Sequence, residues 1–423
     1  MSLVEELKWR GMIHDLTPGT EELLNKEKVV GYLGTDPTAD GLHIGNLASL
    51  MLLVHLQRHG HQPIALMGGA TGMVGDPSGK SAERNLLTPE QIQLNLEGQK
   101  KDFAKILDFD QENNGAKVVN NYDWYKDMTV LEFLRDIGKH LTLNYMMAKD
   151  SVKKRMDSGI SFTEFSYQLI QGYDFYYLWK NYNCKIQFGG SDQWGNITAG
   201  TELIRRMAGG EAFALTCPLI TKSDGTKFGK TAGGAIWLSA DKTSVYKFYQ
   251  FWINSSDADA EQYIKKFTLL DKATIEAIIE EHKIQPHTRI LQKRLAQEVT
   301  TMIHSEEAWQ QAVTASQILF KGSKEDLTTL SKSQLLEILE GVPTFKIDRK
   351  QHGEQLGLID FLSEHTGILP SKSEARRALQ QNSIKINMEK VSLDGSITAN
   401  DLLNDSFILV QKGKKHKYLV IAE

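Results

Sequence analysis

The stretch that most restricts the fold lies between residues 29 and 72. Val29 to Leu33 is a short apolar run interrupted at Gly31 and stopped by Gly34; it leads through Asp36-Pro37 into an apolar helix predicted from about Ile44 to His59. Gly60 closes that helix, and Pro63 to Met67 is a second apolar run that empties into Gly68-Gly69-Ala70-Thr71-Gly72. Strands joined by a long helix lie parallel, so this spacing opens a parallel α/β sheet.

The rest of the chain extends that reading. Residues 3 to 11 form a short amphipathic helix, and Thr88 to Leu107 reads as a helix that is polar on one side. Val118-Val119 is a candidate strand ending at Asn120-Asn121, and Thr129 to Asp157 is mainly helical. Ser161-Phe162-Thr163-Glu164 fits a capping box that starts a helix towards Trp179. Lys185 to Phe188 is another short strand, closed by Gly189-Gly190 and followed by a helix through Arg206, so the chain returns to the sheet after a helical insertion. Ser244 to Leu319 then repeats helical segments, with Phe248, Phe251 and Trp252 at its entrance and Leu291, Leu295 and Val299 near its exit. Gly322 to Arg349 is polar and interrupted, with one short helix around Leu335 to Leu339, and reads as a connection. A last small α/β unit holds a second capping box at Ser371-Lys372-Ser373-Glu374. It also carries an alternating strand at Ile384, Ile386 and Met388 and a hairpin from Phe407 to Val410 and Tyr418 to Ile421.

Composition narrows the class. A chain of 423 residues is too long for one ordinary core, so two or three domains are expected. The net charge of -4 gives no global attraction to nucleic acid, so any RNA contact must come from local basic patches. Cys184 and Cys217, the only cysteines, exclude a disulfide scaffold and a thiolate metal cluster, and no protein-bound structural metal is expected. Met1 to Arg10 contains no apolar signal core, and nowhere do 18 apolar residues run together. A cytoplasmic protein without a membrane span is expected.

Two segments carry phosphate chemistry. His43 and Asn46 stand three apart at a helix start, where free amides and the helix dipole favour anions, with Gly45 leaving room for a ring or sugar and Thr38 offering a hydroxyl just upstream. Lys227-Phe228-Gly229-Lys230-Thr231 places two lysines around a glycine, a pattern able to close over a triphosphate. Alone, each is ordinary: a histidine capping a helix, or two lysines in a turn. In combination they suggest an ATP site. Gly75-Asp76-Pro77-Ser78-Gly79-Lys80-Ser81 has three residues between its glycines where the P-loop needs four, and the first strand lacks the dinucleotide glycines, so kinase, GTPase and dehydrogenase readings are disfavoured. Tyr167, Gln171 and Asp174 share one helical face, either as a solvated stripe or as a pocket reading an ammonium or a phenolic hydroxyl. Asp192 and Gln193 follow a strand at its carboxyl end, where sheet-based sites lie.

The segments Tyr32 to Asn46, Gly75 to Lys80, Phe165 to Asp174, Gly189 to Asn196 and Lys227 to Thr231, in this order and spacing, resemble the bacterial-type tyrosyl-tRNA synthetases of class I. The resemblance implies a Rossmann-like parallel-sheet catalytic domain over residues 1–243, with a helical insertion at about 121–184 and a lysine loop at 226–232. An all-helical tRNA-binding domain at 244–320, a linker at 321–354 and a small S4-like α/β RNA-binding domain at 355–423 would follow. It implies activation of L-tyrosine with ATP and magnesium, then transfer to the terminal ribose of tRNA(Tyr), by a homodimer. Tyr32 and Asp174 would recognise the tyrosine hydroxyl; Asp76, Tyr167, Gln171 and Gln193 would complete the amino-acid side. Gly34, Asp36, Thr38, His43, Gly45, Gly190, Asp192, Gln193 and Lys230 would line the nucleotide. Thr38, His43, Asn46, Lys227, Lys230 and Thr231 would act on the reacting phosphates.

Two departures stand out: Asn46 occupies a position where the family commonly has histidine, and Phe228-Gly229 replaces the frequent methionine and serine. For RNA, Lys80, Arg84, Lys149, Lys153, Lys154 and Arg155 are candidates near the acceptor end, and Lys372, Arg376, Arg377, Lys412, Lys414, Lys415 and Lys417 in the last unit. The rivals are a tryptophan-specific relative and an RNA-binding regulator that keeps the fold without catalysis.

Overall fold

A six-stranded sheet organises the first part of the chain, in the order β1 (Asp15–Leu16), β6 (Phe213–Cys217), β5 (Cys184–Gly190), β2 (Val30–Thr35), β3 (Gln62–Met67) and β4 (Lys117–Asn120). Only β1 runs antiparallel to its neighbour; the remaining pairs are parallel. This is the Rossmann-like arrangement. The structure is a computed structural model that describes residues 1–78, 87–156, 159–226, 228–231, 234–340, 342–348, 355–413 and 416–423. Within these it leaves aside the side chains of 151, 154, 155, 230, 231, 320 and 321.

From β2 the chain crosses through the Ile44–Arg58 helix to β3 and then β4, whereas β5 and β6 lie on the other side of β2. The strand order therefore reverses between β2 and β5, and a crevice opens at their carboxyl ends. The Ile44–Arg58 helix is apolar on nearly every side, with Leu47, Leu50, Met51, Leu52, Leu53 and Leu56 all buried. That pattern suits a helix packed from several directions rather than on one face. β6 is buried at every position, so it shows none of the alternation that betrays a half-exposed strand.

Between β4 and β5 runs the helical insertion. Its first part is a series of short pieces, including a π-helical turn at Phe133–Ile137 and a 3-10 turn at Gly138–His140, rather than long helices. Its last part is the Phe162–Tyr182 helix, begun by the Ser161 hydroxyl accepting from the Glu164 amide and ended by Asn183 in the left-handed conformation. A small ribbon follows β6, pairing β7 (Lys230–Thr231) with β8 (Gly234–Ala235).

The chain divides into two compact units, one of residues 1–243 and 250–305, the other of 244–249 and 306–423. The stretch at 244–320, expected as one helical domain, is shared between the two units. Its Asp257–Phe267 helix belongs with the sheet, and buried Arg10 is one reason: its guanidinium donates to the carbonyls of Lys265 (2.6 Å), Thr268 (3.0 Å) and Leu270 (2.6 Å) around the helix's C-terminal end. Those carbonyls lack partners within the helix, and a cation there also opposes the helix dipole.

In the second unit, β9 (Thr344–Ile347), β11 (Ile384–Ile386), β12 (Glu389–Lys390), β14 (Phe407–Lys412) and β15 (His416–Ala422) form a sheet in the order β12-β11-β14-β15-β9; β10 (Leu356–Gly357) pairs separately with β13 (Ser396–Ile397). The sheet is apolar on both faces. Ile408, Val410 and Val420 pack with Ala375, Ala378 and Leu379 of the Lys372–Gln380 helix, while Phe407, Leu409 and Leu419 pack with Leu327, Leu330, Leu335, Ile338 and Leu339. The stretch at 321–354, expected as a linker, holds regular elements. It supplies the helices Lys324–Thr328 and Lys332–Ile338 and the edge strand β9, because the second apolar face must be covered.

Candidate functional site

Strand ends bring the site residues together. Tyr32 on β2 is 1% exposed, its ring packed on Phe175 at 5.3 Å, and its hydroxyl has no partner within the protein. Beside it lies Asp174 of the Phe162–Tyr182 helix. Its two carboxylate oxygens accept from the Trp124 indole at 3.0 Å and the Asn121 amide at 3.1 Å. Burial pushes the Asp174 carboxyl up to about 7, and these two donors oppose that rise by favouring the ionised form. Burial and the Asp174 charge both push the Tyr32 phenol well above its ordinary value, so it remains a neutral donor.

A continuous hydrogen-bonded line leaves Asp174. Asn121 also donates to the Thr71 hydroxyl (3.0 Å), Thr71 donates to one oxygen of Asp36 (2.7 Å), and the Tyr167 hydroxyl donates to the other (2.9 Å). Gly68 is obligatory here, because a Cβ would sit 2.4 Å from both the Asp36 carboxylate and the Thr71 hydroxyl. On the far side, Asp76 accepts from Gln193 (2.7 Å), Asn196 (3.3 Å) and the Ser78 amide (2.9 Å). Buried polar atoms with no partner in the protein include Tyr32 Oη, Gln171 Oε1, Gln187 Oε1 and the Gln168 amide. Gln187 on β5 is the cross-strand partner of Tyr32, so both face the same side of the sheet. An orphaned buried polar group costs about 1–3 kcal/mol, so such a cluster suits a polar ligand that satisfies it.

The nucleotide side begins where β2 ends. The loop after Thr35 is held by the Pro89–Phe103 helix: Gln99 accepts from the Thr35 hydroxyl (3.2 Å) and donates to the Asp36 carbonyl (3.2 Å), and Asn95 donates to the Pro37 carbonyl (2.7 Å). His43 is the N-cap of the Ile44–Arg58 helix. Its Nδ1 accepts from the Asn46 amide at 3.3 Å, while Asn46 Oδ1 accepts from the His43 amide at 3.1 Å. An accepting Nδ1 places the proton of a neutral imidazole on Nε2, the nitrogen that can donate. The Asn46 side-chain oxygen is occupied in the cap, so any donation from Asn46 to a phosphate or ribose oxygen falls to its Nδ2.

Two family models match the chain: tRNA synthetases class I (W and Y) over residues 24–321, and the tyrosine–tRNA ligase SYY-like C-terminal domain over residues 334–421. The tyrosine–tRNA ligase of Flavobacterium johnsoniae is 58% identical, covering 99% of each chain, and that of Bacteroides fragilis is 58% identical over 100% of each. The chain belongs to the class I tyrosyl-tRNA synthetases. Among solved structures, a C-terminally truncated mitochondrial tyrosyl-tRNA synthetase from Aspergillus nidulans superposes with a TM-score of 0.68 at 33% identity, covering 75% of this chain and 94% of that one.

As a tyrosyl-tRNA synthetase, the chain gathers Tyr32, Asp36, Asp76, Tyr167, Gln171, Asp174 and Gln193 around one buried region, with Gly34, Thr38, His43, Gly45, Gly190 and Asp192 on the strand ends and helix start beside it. Thr71, Asn121, Trp124, Gln187 and Asn196 belong to the same constellation and carry no signal of their own in the sequence. Thr71 and Asn121 stand in recognisable strand-end segments, Gly68 to Gly72 and Asn120-Asn121, but their shared partners come from distant parts of the chain. Lys227, Lys80, Arg84, Lys414 and Lys415 lie outside the described residues, as do the side chains of Lys154, Arg155, Lys230 and Thr231.

The candidate RNA-binding cations separate into engaged and exposed groups. Lys149 is engaged within the protein: its ammonium donates to the Tyr145 hydroxyl and Thr198 hydroxyl, both at 2.9 Å, and burial lowers its affinity for a proton. Lys417 donates to the Leu319 carbonyl at 2.7 Å, and burial brings it down to about 8. Lys372 pairs with Asp360 and Glu364, and Lys412 with Glu374. Lys153, Arg376 and Arg377 are exposed.

Proposed function

We propose that this tyrosyl-tRNA synthetase reads its amino acid with Tyr32 and Asp174 at the phenolic end and with Asp76, Tyr167 and Gln171 at the ammonium end. The observation that carries this reading is the buried Asp174 carboxyl with two donors beneath it and the orphaned Tyr32 hydroxyl beside it. A phenol can donate to the first and accept from the second. An indole offers only a donor, and phenylalanine neither, so the pair favours tyrosine over both.

In the reaction, a tyrosine carboxylate oxygen attacks the α-phosphorus of ATP and the bond to pyrophosphate breaks. The terminal ribose hydroxyl of tRNA(Tyr) then attacks the tyrosyl carbonyl, and AMP leaves. No protein nucleophile is required. His43, Thr38 and the Gly45 backbone at the Ile44 helix start would face the phosphates, with Gly34, Asp36, Gly190, Asp192 and Gln193 along the nucleotide and Lys227, Lys230 and Thr231 over the departing pyrophosphate. Magnesium enters with ATP as part of the substrate. The triphosphate would supply oxygens to the ion.

A homodimer is supported by a run of exposed apolar side chains in the helical insertion: Val130 (73%), Leu131 (78%), Leu143 (65%) and Phe162 (77%). Its place would be the cytoplasm, where it would meet tRNA. No described helix is long and apolar enough to cross a membrane. Exchange of labelled pyrophosphate into ATP tests the whole reading. Tyrosine should drive it, whereas exchange driven by tryptophan would reassign the pocket, and none from folded protein would leave an RNA-binding regulator.

A further inference from the structure

The lysine loop carries a large aromatic side chain, and the structure gives that ring a seat. Phe228 is 8% exposed although its neighbours Asp224, Gly225 and Thr226 are exposed. Its ring stacks on Phe267 (5.1 Å, 16° between planes) and meets Tyr263 (4.9 Å) and Phe251 (5.7 Å) edge-on, with Trp252 at 6.0 Å. These four rings come from the Val245–Ile253 and Asp257–Phe267 helices.

The loop is tied to the second of these helices at its other end as well. The Ser223 amide donates to Asp259 at 2.7 Å, and the Ser223 and Ser256 hydroxyls share a hydrogen bond of 3.2 Å. Next to the ring, Gly229 takes a φ of +81°, and a Cβ there would lie 3.1 Å from Ile44 and 3.4 Å from the Gly45 amide. The Gly229 carbonyl accepts from the Ile236 amide (3.1 Å), and the Ile236 carbonyl accepts from the Ile44 amide (2.9 Å). Phe228-Gly229 therefore joins an aromatic box to the helix start that carries His43 and Gly45.

We propose that Phe228 is a positioning residue for adenylate formation: seated in the box of Phe251, Trp252, Tyr263 and Phe267, it sets where Gly229 and the backbone that follows it lie against the Ile44-Gly45 helix start. Methionine is long and adaptable enough to fill the same seat, whereas alanine is not. Buried aromatic pairs contribute beyond their area and depend on geometry, so removing one partner weakens what the other contributes.

This inference rests on the tyrosine adenylation proposed above, and the test separates the two. The unaltered protein must first show tyrosine-dependent pyrophosphate exchange; its absence defeats the functional reading and leaves no rate for Phe228 to set. Given exchange, Phe228→Ala should slow single-turnover adenylate formation by about 10- to 100-fold, equivalent to roughly 1.4–2.7 kcal/mol. Tyrosine binding, and tyrosyl transfer from preformed adenylate to tRNA, should stay within about 3-fold. Phe228→Met should restore adenylate formation to within about 3-fold of the unaltered rate. Phe251→Ala should slow the same step less, and the double variant should fall short of the product of the two single effects. Equal slowing of transfer and adenylate formation, failure of methionine to restore the rate, or multiplicative effects of the two alanines would each overturn the proposal. If Phe228→Ala does not fold, the methionine and Phe251→Ala variants still decide it.

Discussion

The amino-acid pocket of the first unit and the cationic surface of the second use charge in opposite ways. Asp174 is buried, holds two donors, and sits beside the Tyr32 hydroxyl, which has no partner in the protein. Arg376 and Arg377 are exposed on the Lys372–Gln380 helix, while their neighbours Lys372 and Lys412 are engaged by local carboxylates. A buried charge interacts strongly because little water screens it, and its replacement leaves partners unsatisfied. An exposed charge is screened, and its removal is felt weakly and in proportion to salt. The pocket should therefore carry discrimination, and the terminal surface should carry only additive affinity.

The largest expected effect comes from breaking the buried side of this contrast. Sites that hydrogen-bond a substrate hydroxyl reject the analogue lacking it by about 10⁴–10⁵-fold, and Asp174→Ala should remove at least about 10²-fold of that preference. The comparison of tyrosine with phenylalanine in exchange kinetics measures it; an unchanged ratio would remove Asp174 from phenol recognition. Asn121→Ala should come next. It deletes one donor to the Asp174 carboxylate and the link to Thr71, so kcat/KM for tyrosine should fall by about 10- to 100-fold, in line with a charged hydrogen bond of about 1.5–3 kcal/mol. A decrease that affects ATP more than tyrosine would place the Asn121 role at the nucleotide instead.

How much of the molecule is legible in its sequence follows the range of the interactions. Tyr167, Gln171 and Asp174 can be grouped because helical spacing is local, and the strand-helix-strand opening because hydrophobic runs and glycines mark it. Thr71, Asn121 and Trp124 reach Asp36 and Asp174 only after β3, β4 and the insertion are packed, and no spacing encodes that. β6 is hidden in the sequence because a strand buried on both faces has no alternating pattern. The stretch at 321–354 reads as a linker because its helices are short and polar on one side. The need for them arises from an apolar sheet face formed by residues far along the chain. Lys149 and Lys417 read as surface cations because a lysine's burial is set by neighbours distant in sequence.

A smaller effect tests whether the Asp174 charge itself is what matters. Its carboxyl, raised to about 7 chiefly by burial, is protonated in the free protein below that pH. The form that accepts a phenolic hydrogen is the ionised one, so the tyrosine-to-phenylalanine ratio should rise by about tenfold from pH 6 to pH 8 and then level off. Asn121→Ala removes a group that favours ionisation and should move the rise to higher pH. The sign for folding is opposite. A carboxyl whose folded value lies above its unfolded value costs stability as pH rises through the interval from about 4 to about 7, and the cost stays constant above it. A selectivity ratio that is flat across this range would mean that Asp174 titrates elsewhere or accepts no phenol.

The smallest effects belong to the terminal surface, as screening by water and salt requires. Arg376→Ala and Arg377→Ala should each raise KM for tRNA by about 2- to 5-fold, leave tyrosine-dependent exchange unchanged, and lower the salt slope of tRNA binding by about 0.7–0.9 for each phosphate no longer neutralised. Lys417→Ala should instead act mainly on stability. Its half-buried ammonium is donated to the Leu319 carbonyl, so removal strips a packing stem and an internal donor. If Lys417→Ala weakens tRNA binding with a reduced salt slope while its melting temperature is unchanged, that internal bond is not its main role. If the two arginine variants leave the slope untouched, RNA does not approach along the Lys372–Gln380 helix. The division between a discriminating interior and an additive surface would then have to be drawn on another face of the second unit.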